Sequence, residues 1–265
     1  MKVGFLQTAP EFGRVKKNVE HMFHLLEGID VELLVLPELF NTGYQFAMKD
    51  EVKHLSEEVP DGFTTQALIY KAKEKGLYTV AGIAERVRDR YFNSAILVGP
   101  KGFIGVYRKV HLFDMEKLWF SPGEDGFPVF DIGKARVGLM VCFDWLFPEV
   151  ARVLALEGAD IICHPSNLVL PYCPEAMITR CLENRVFAIT ANRIGKEERI
   201  PGKPLTFIGK SQVISPKGEI LYRASEDKEE ANIIEIRHEE ARDKMITPEN
   251  HIFRDRRKEL YGAIT

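Results

Sequence analysis

The stretch Ala135-Arg136-Val137-Gly138-Leu139-Met140-Val141-Cys142-Phe143-Asp144-Trp145-Leu146-Phe147-Pro148-Glu149-Val150-Ala151-Arg152 reads as a strand, a turn and the opening of a helix. The run up to Val141 is apolar and of strand length. Pro148 suits the first position of a helix, where its missing N–H would have no partner anyway. Cys142 falls at the elbow between them. A cysteine there has its sulfur pushed out of the sheet, beside N–H groups that favour thiolate over thiol and can hold an oxyanion. Two other strand-like runs end in charges that such a cysteine needs. Val31-Glu32-Leu33-Leu34-Val35-Leu36-Pro37 leads into Glu38, and Phe103-Ile104-Gly105-Val106-Tyr107-Arg108 leads into Lys109. Strand ends are where α/β sheets keep their ligands, so Glu38, Lys109 and Cys142 read as one site.

The rest of the chain alternates in the same way. A helix is predicted over residues 14–27, with Val15, Val19, Met22, Phe23 and Leu26 on one face. A second, over 64–75, stops at Gly76, a residue suited to a left-handed cap. Strands are predicted over 2–7, 79–85, 94–98 and 103–108. A helix over 148–157 follows, then a strand over 160–163, a helix from about Pro174 and strands over 187–191, 211–214, 219–222 and 232–236. Short helices alternating with Val- and Ile-rich runs imply an α/β fold with helices covering the sheet. Pro100-Lys101-Gly102 and Pro216-Lys217-Gly218 each introduce a strand that reaches a Tyr-Arg pair. Pro-Lys-Gly is common hairpin chemistry, so shared turn chemistry is the leading account. The alternative is two halves with equivalent hairpins in two packed sheets. The charged stretch 195–203 reads as a mobile loop, and 226–230 as a solvated turn.

Composition narrows the function. A chain of 265 residues with 45% hydrophobic and 28% charged residues can bury one large core. A net charge of −3 offers no surplus to neutralise phosphates, so no nucleic-acid partner is expected. No apolar run approaches the roughly 20 residues of a membrane span, and the first residues are strand-like rather than a signal peptide. A cytoplasmic protein without membrane contact is the expectation. Cys142, Cys163, Cys173 and Cys181 form no CxxC pair and have no histidine at zinc spacing, so neither a metal nor a structural disulfide is expected.

A carboxylate, an ammonium and a thiol suit acyl transfer from a carbonyl or nitrile carbon. Glu38 serves as general base, Cys142 attacks, and Lys109 with the Phe143 N–H holds the oxyanion. Three blocks carry a family resemblance. They are Leu36-Pro37-Glu38-Leu39-Phe40, Tyr107-Arg108-Lys109-Val110-His111-Leu112-Phe113 and Val141-Cys142-Phe143-Asp144-Trp145-Leu146-Phe147-Pro148-Glu149. In order and wide spacing they resemble the signature blocks of the nitrilase superfamily of carbon–nitrogen hydrolases, over nearly the whole chain. The resemblance implies a four-layer α-β-β-α sandwich over residues 1–265, with residues 252–265 as a tail used in subunit contacts and a homodimer or higher homo-oligomer. It also implies Glu38 as base, Lys109 as stabilising cation and Cys142 as nucleophile. Glu116 matches a second family glutamate that orients Lys109 or the substrate.

Cys142-Phe143-Asp144 resembles the amidase form of the third block more than the Cys-Trp-Glu of nitrilases, so a small amide is expected before a nitrile, with no cofactor. Phe143, Trp145 and Asn167 are the candidate substrate contacts, Asn167 lying where family members line the pocket. Trp119, Phe120 and Tyr172 read as packing aromatics near it. Two rival readings stand beside this one. A Cys-His hydrolase would use His111 or His164, and a non-catalytic binding protein would use the same fold for another purpose.

Overall fold

Leu33 and Val35 face one way along their strand, Leu34 and Leu36 the other, and all four are fully buried. A strand apolar on both faces needs a covering layer on each. The computed structural model, which describes residues 1–264, supplies both. The strands of the first sheet are β1 (Lys2–Gln7), β2 (Leu33–Val35), β3 (Tyr78–Val87), β4 (Arg90–Gly99), β5 (Gly102–Arg108) and β14 (Glu230–Glu235). Those of the second are β6 (Val129–Asp131), β7 (Arg136–Leu139), β8 (Ile161–Pro165), β9 (Phe187–Ala191), β12 (Gln212–Ile214) and β13 (Ile220–Arg223). The first sheet has the order β14-β1-β2-β3-β4-β5 and the second β13-β12-β9-β8-β7-β6.

The sheets face each other across Val3, Phe5, Leu33 and Val35 on one side and Val137, Leu139 and Ile189 on the other. Helices α1 (Val15–Leu25) and α3 (Phe63–Lys75) cover the first sheet, with Val19, Met22 and Leu68 set on Leu34 and Leu36. Gly76 ends α3 with φ of 70°, the left-handed cap its sequence predicts. Helices α5 (Pro148–Leu156) and α6 (Cys173–Asn184) cover the second sheet through Val150, Leu154, Met177 and Cys181. The result is the four-layer α-β-β-α sandwich. A small hairpin of β15 (Met245–Thr247) and β16 (Asn250–His251) precedes the tail.

Three departures from the sequence reading bear on the site. The two Pro-Lys-Gly turns are equivalent after all. In each sheet two parallel pairs are followed by two antiparallel ones, β1-β2-β3-β4-β5 in one and β7-β8-β9-β12-β13 in the other. Pro100-Lys101-Gly102 joins the last two strands of the first series and Pro216-Lys217-Gly218 those of the second. The chain is therefore two copies of one topology packed face to face, so both halves bring parallel-strand ends to one edge.

The stretch 195–203 is not a loose loop. It lies in a hairpin of β10 (Ile194–Glu197) and β11 (Leu205–Ile208). That hairpin is anchored by the buried Arg193–Glu197 ion pair, with the Arg193 guanidinium 4.1 Å over the Phe207 ring. Lys196, Glu198 and Lys203 are exposed as their charge suggests, but Glu197 is buried and holds the hairpin. Finally, the charged segment Lys49–Leu55 forms α2, and Glu116–Trp119 a single turn, α4, inside a block read only as a motif.

Candidate active site

Each catalytic candidate sits just past a strand end, at a place where the backbone is forced. After β2 the chain crosses onto β3, with Leu36 N–H on Val80 O, Gly82 N–H on Pro37 O and Phe40 N–H on Gly82 O. A Cβ at Gly82 would lie 2.4 Å from the Glu38 Cα, so only glycine lets the Glu38 backbone press this close. Leu39 then turns at φ of 49°. Lys109 is held at the end of β5 by its N–H on Asn93 O, 2.8 Å. Cys142 begins a five-residue 3₁₀ turn, Cys142–Leu146, ahead of α5, and its φ is 42°. A side chain rarely adopts that conformation, and strain of this kind gathers at functional sites.

These three elbows meet. The Lys109 Nζ donates to Glu38 Oε1 at 2.8 Å and to Glu116 Oε1 at 2.9 Å, and all three side chains are buried. Asn93 Nδ2 also donates to Glu38 Oε1, at 2.6 Å, leaving Glu38 Oε2 buried without a partner. Glu116 accepts a further bond from the Tyr44 hydroxyl at 2.7 Å. Glu116 is thus not a surface carboxylate but the second anion on Lys109. Burial works against the Lys109 charge, yet Glu116 and Glu38 outweigh it and hold the ammonium well above the ordinary lysine pKa. Burial raises the Glu38 carboxyl above its ordinary value, against the pull of Lys109.

Cys142 needs a base to become a nucleophile. Burial pushes its thiol pKa well up, Glu38 and Glu116 push further, and Lys109 and the Asn167 N–H offset only part of this. The resting sulfur is a thiol. Desolvation beside two carboxylates outweighs those donors, so the sulfur needs a base to ionise it.

The sulfur opens to a narrow cleft lined by Phe113, Phe143, Trp145, Asn167 and Leu168. The three predicted substrate-contact residues therefore share one wall with Cys142. Asn167 donates from Nδ2 to Glu38 O at 2.8 Å, and its Oδ1 is buried with no partner. Beyond Phe113 lies a second cavity lined by Tyr44, Phe46, Glu116, Trp119 and Phe120. Trp119 and Phe120 thus wall the site, whereas Tyr172 stands exposed at the start of α6. Among the described residues no group of His, Cys, Asp and Glu is arranged to hold a metal ion, and no helix is long and apolar enough to cross a membrane.

Neither histidine reaches the sulfur as a base. His111 Nδ1 is bonded to Asp144 Oδ1 at 2.8 Å, and its ring stacks on Phe147 at 3.6 Å. His164 Nε2 faces the Cys142 carbonyl oxygen at 2.9 Å, and burial lowers its pKa to about 4, so it is the neutral ring. That geometry sets the Cys-His hydrolase aside.

Asp144 does not face the cleft. Its carboxylate accepts the Tyr107 hydroxyl at 2.7 Å, Val141 N–H at 2.8 Å and the His111 ring, tying the cysteine turn to the end of β5. Its bearing on amide against nitrile is therefore indirect. Tyr44, Asn93 and Asp144 are the site residues that the sequence reading did not assign. Tyr44 and Asn93 act through partners distant in sequence, whereas Asp144 was read only as part of the amidase form of the third block and its bonds to Tyr107 and His111 carry no local signal.

Comparison with known proteins identifies the family. The family model for carbon–nitrogen hydrolases matches residues 2–244. The chain is 49% identical over 264 residues to a Pyrococcus abyssi protein named nitrilase, covering 98% of this chain and 99% of that one. It is 32% identical over 274 residues to an (R)-stereoselective amidase of a Pseudomonas species, covering 100% and 94%. The crystal structure of a carbon–nitrogen hydrolase from Helicobacter pylori superposes with a TM-score of 0.88 at 29% identity, covering 99% and 97%. The chain belongs to the carbon–nitrogen hydrolase family and is an enzyme of that class.

Proposed function

We propose that the protein hydrolyses a small amide to a carboxylic acid and ammonia through a thioester on Cys142. The observation that carries this reading is the unpartnered, buried Oε2 of Glu38, an acceptor held ready beside the sulfur. Glu38 takes the thiol proton as the sulfur bonds to the carbonyl carbon. Lys109, with the Phe143 N–H, stabilises the oxyanion that forms. The C–N bond then breaks, Glu38 returns the proton to nitrogen, and ammonia leaves. Glu38 next takes a proton from water, the hydroxyl adds to the thioester carbon, and the C–S bond breaks as Glu38 returns that proton to the sulfur, releasing the acid and restoring the thiol. Glu116 fixes Lys109 at 2.9 Å throughout and does not itself exchange the proton.

Amide is preferred to nitrile because Asn167 offers the cleft a second unpartnered acceptor, Oδ1, and only an amide nitrogen brings hydrogens to meet it. The nitrile reading keeps one specific support, the name of the 49% identical relative from Pyrococcus abyssi. The test is ammonia release from short amides beside the matching nitriles. Higher kcat/KM on the amides is expected, and turnover of nitriles alone overturns the amide reading.

The same reading makes the protein a homodimer or larger homo-oligomer, joined through the turn after Cys142, α5 and α6. Leu146, Val153, Leu156 and Leu182 stand exposed on those elements, and the tail residue Phe253 lies against the same layer, beneath Arg152 and Lys244. Residues 252–264 join this face as part of one carbon–nitrogen hydrolase domain. Sedimentation is expected to give at least twice the 30.2 kDa chain mass, and a monomer at micromolar concentration contradicts it. A cytoplasmic location is supported by four buried cysteines that are all unpaired.

A further inference from the structure

Two cavities meet at one side chain. The cleft at Cys142 takes its walls from the cysteine turn, through Phe143 and Trp145, and from the segment after β8, through Asn167 and Leu168. The second cavity has apolar walls in Phe46, Trp119, Phe120 and Leu205, and Cys142 is not among its lining residues. Among the described residues Phe113 is the one that lines both.

Phe113 is held from two directions. Its N–H donates to Glu116 Oε2 at 3.2 Å, and the Glu116 N–H donates to Phe113 O at 2.9 Å. Asp114 follows at φ of 44°, a left-handed turn that fixes how the chain leaves. The Phe113 ring packs on Phe143 with centroids 5.1 Å apart, Phe143 meets Phe147 edge-on at 5.6 Å, and Phe147 stacks on His111 at 3.6 Å. The backbone is thus held by the carboxylate that fixes Lys109, and the ring by a row of aromatics that begins in the cysteine turn.

Resting on the amide reading above, we infer that Phe113 is a specificity residue, a partition that shuts the Cys142 cleft off from the second cavity and so limits the acyl group to a short chain. The cleft takes the amide and the first carbons, and a longer chain bound at the sulfur runs into the ring. Beyond that ring lie apolar walls that suit methylenes but that the acyl chain does not reach. The phenyl group has no polar atom to offer, so the selection is steric.

The experiment measures kcat/KM for propanamide and hexanamide, which differ only in acyl length. The wild-type protein is expected to favour propanamide by about 100-fold, because a pocket wall discriminates by about tenfold or more for each methylene it turns away. Phe113→Ala is expected to raise the hexanamide-to-propanamide ratio by about 100-fold, mainly through a lower KM for hexanamide. Phe113→Leu, a smaller change in volume that keeps the variant folded should alanine not, is expected to raise it less. Leu205→Trp fills the second cavity without touching the cleft. Alone it is expected to leave the wild-type ratio unchanged, and combined with Phe113→Ala or Phe113→Leu to cancel their gain. A general loosening of the site would not sense Leu205. A wild-type preference for hexanamide, a ratio unmoved in the folded Phe113 variant, or a gain that Leu205→Trp fails to reverse overturns the inference while leaving the amide hydrolase intact. If neither amide releases ammonia, the amide reading fails and this inference falls with it.

Discussion

Replacing Cys142 by alanine is expected to lower ammonia release by about 10⁴-fold or more, because no other group near the site can form the thioester. The fold should survive the change. Cys142 is only 5% exposed but lines the cleft, so removing its sulfur enlarges an existing opening rather than creating a sealed void. A stability change within about 1 kcal/mol is expected on that ground. Substrate binding should also persist, since Asn167, Phe143 and Trp145 remain in place. Thermal unfolding and ammonia assays on the same preparation separate the two effects. Turnover within tenfold of the wild type would exclude the cysteine route.

Glu38→Gln is the second large expected effect, a fall in kcat of about 10³-fold from loss of the general base. The amide replaces the carboxylate at nearly the same size, and Lys109 keeps its bond to Glu116, so the ammonium is not left unpaired. Lys109→Ala is a poorer probe for that reason. It would leave two buried carboxylates facing each other, at a cost of about 3–5 kcal/mol, and would confuse stability with catalysis.

The pH profile reports the same group. Glu38 accepts a proton only when ionised, and burial raises its pKa above the ordinary 4.5, so activity is lost as pH falls through that raised value. The acid limb is therefore expected above pH 4.5 and absent from any residual Glu38→Gln activity. Lys109 stays charged past its ordinary 10.5 and contributes no loss below that pH. A Glu38→Gln variant retaining wild-type kcat with an unchanged acid limb would assign the base elsewhere.

How much of this could be read from the chain depends on the range of each interaction. Cys142, Glu38 and Lys109 were legible because each ends an apolar run, and strand ends converge in α/β folds. Glu116 was legible only through the family resemblance, since its neighbours Asp114 and Lys117 look like an ordinary surface turn. Asn93 was not legible at all. It joins Glu38 to Lys109 only because β4 lies between β3 and β5, a fact of strand order rather than of local pattern.

The stretch 195–203 reads as a mobile loop for a related reason. Glu197 looks like a solvated charge in sequence, yet inside the protein it pairs with Arg193 and accepts the Tyr44 and Gln45 N–H groups. The repeat of topology was visible only as two Pro-Lys-Gly turns, because the packed faces, not the side chains, are what the halves share.

The most direct test is the mass of the protein itself, acid-quenched during turnover of a short amide. The account predicts an added acyl group on the peptide that contains Cys142, decaying once substrate is exhausted and missing from Cys142→Ala. Steady ammonia release with no acylated protein under any quench time, or an acyl group on another residue, would contradict it.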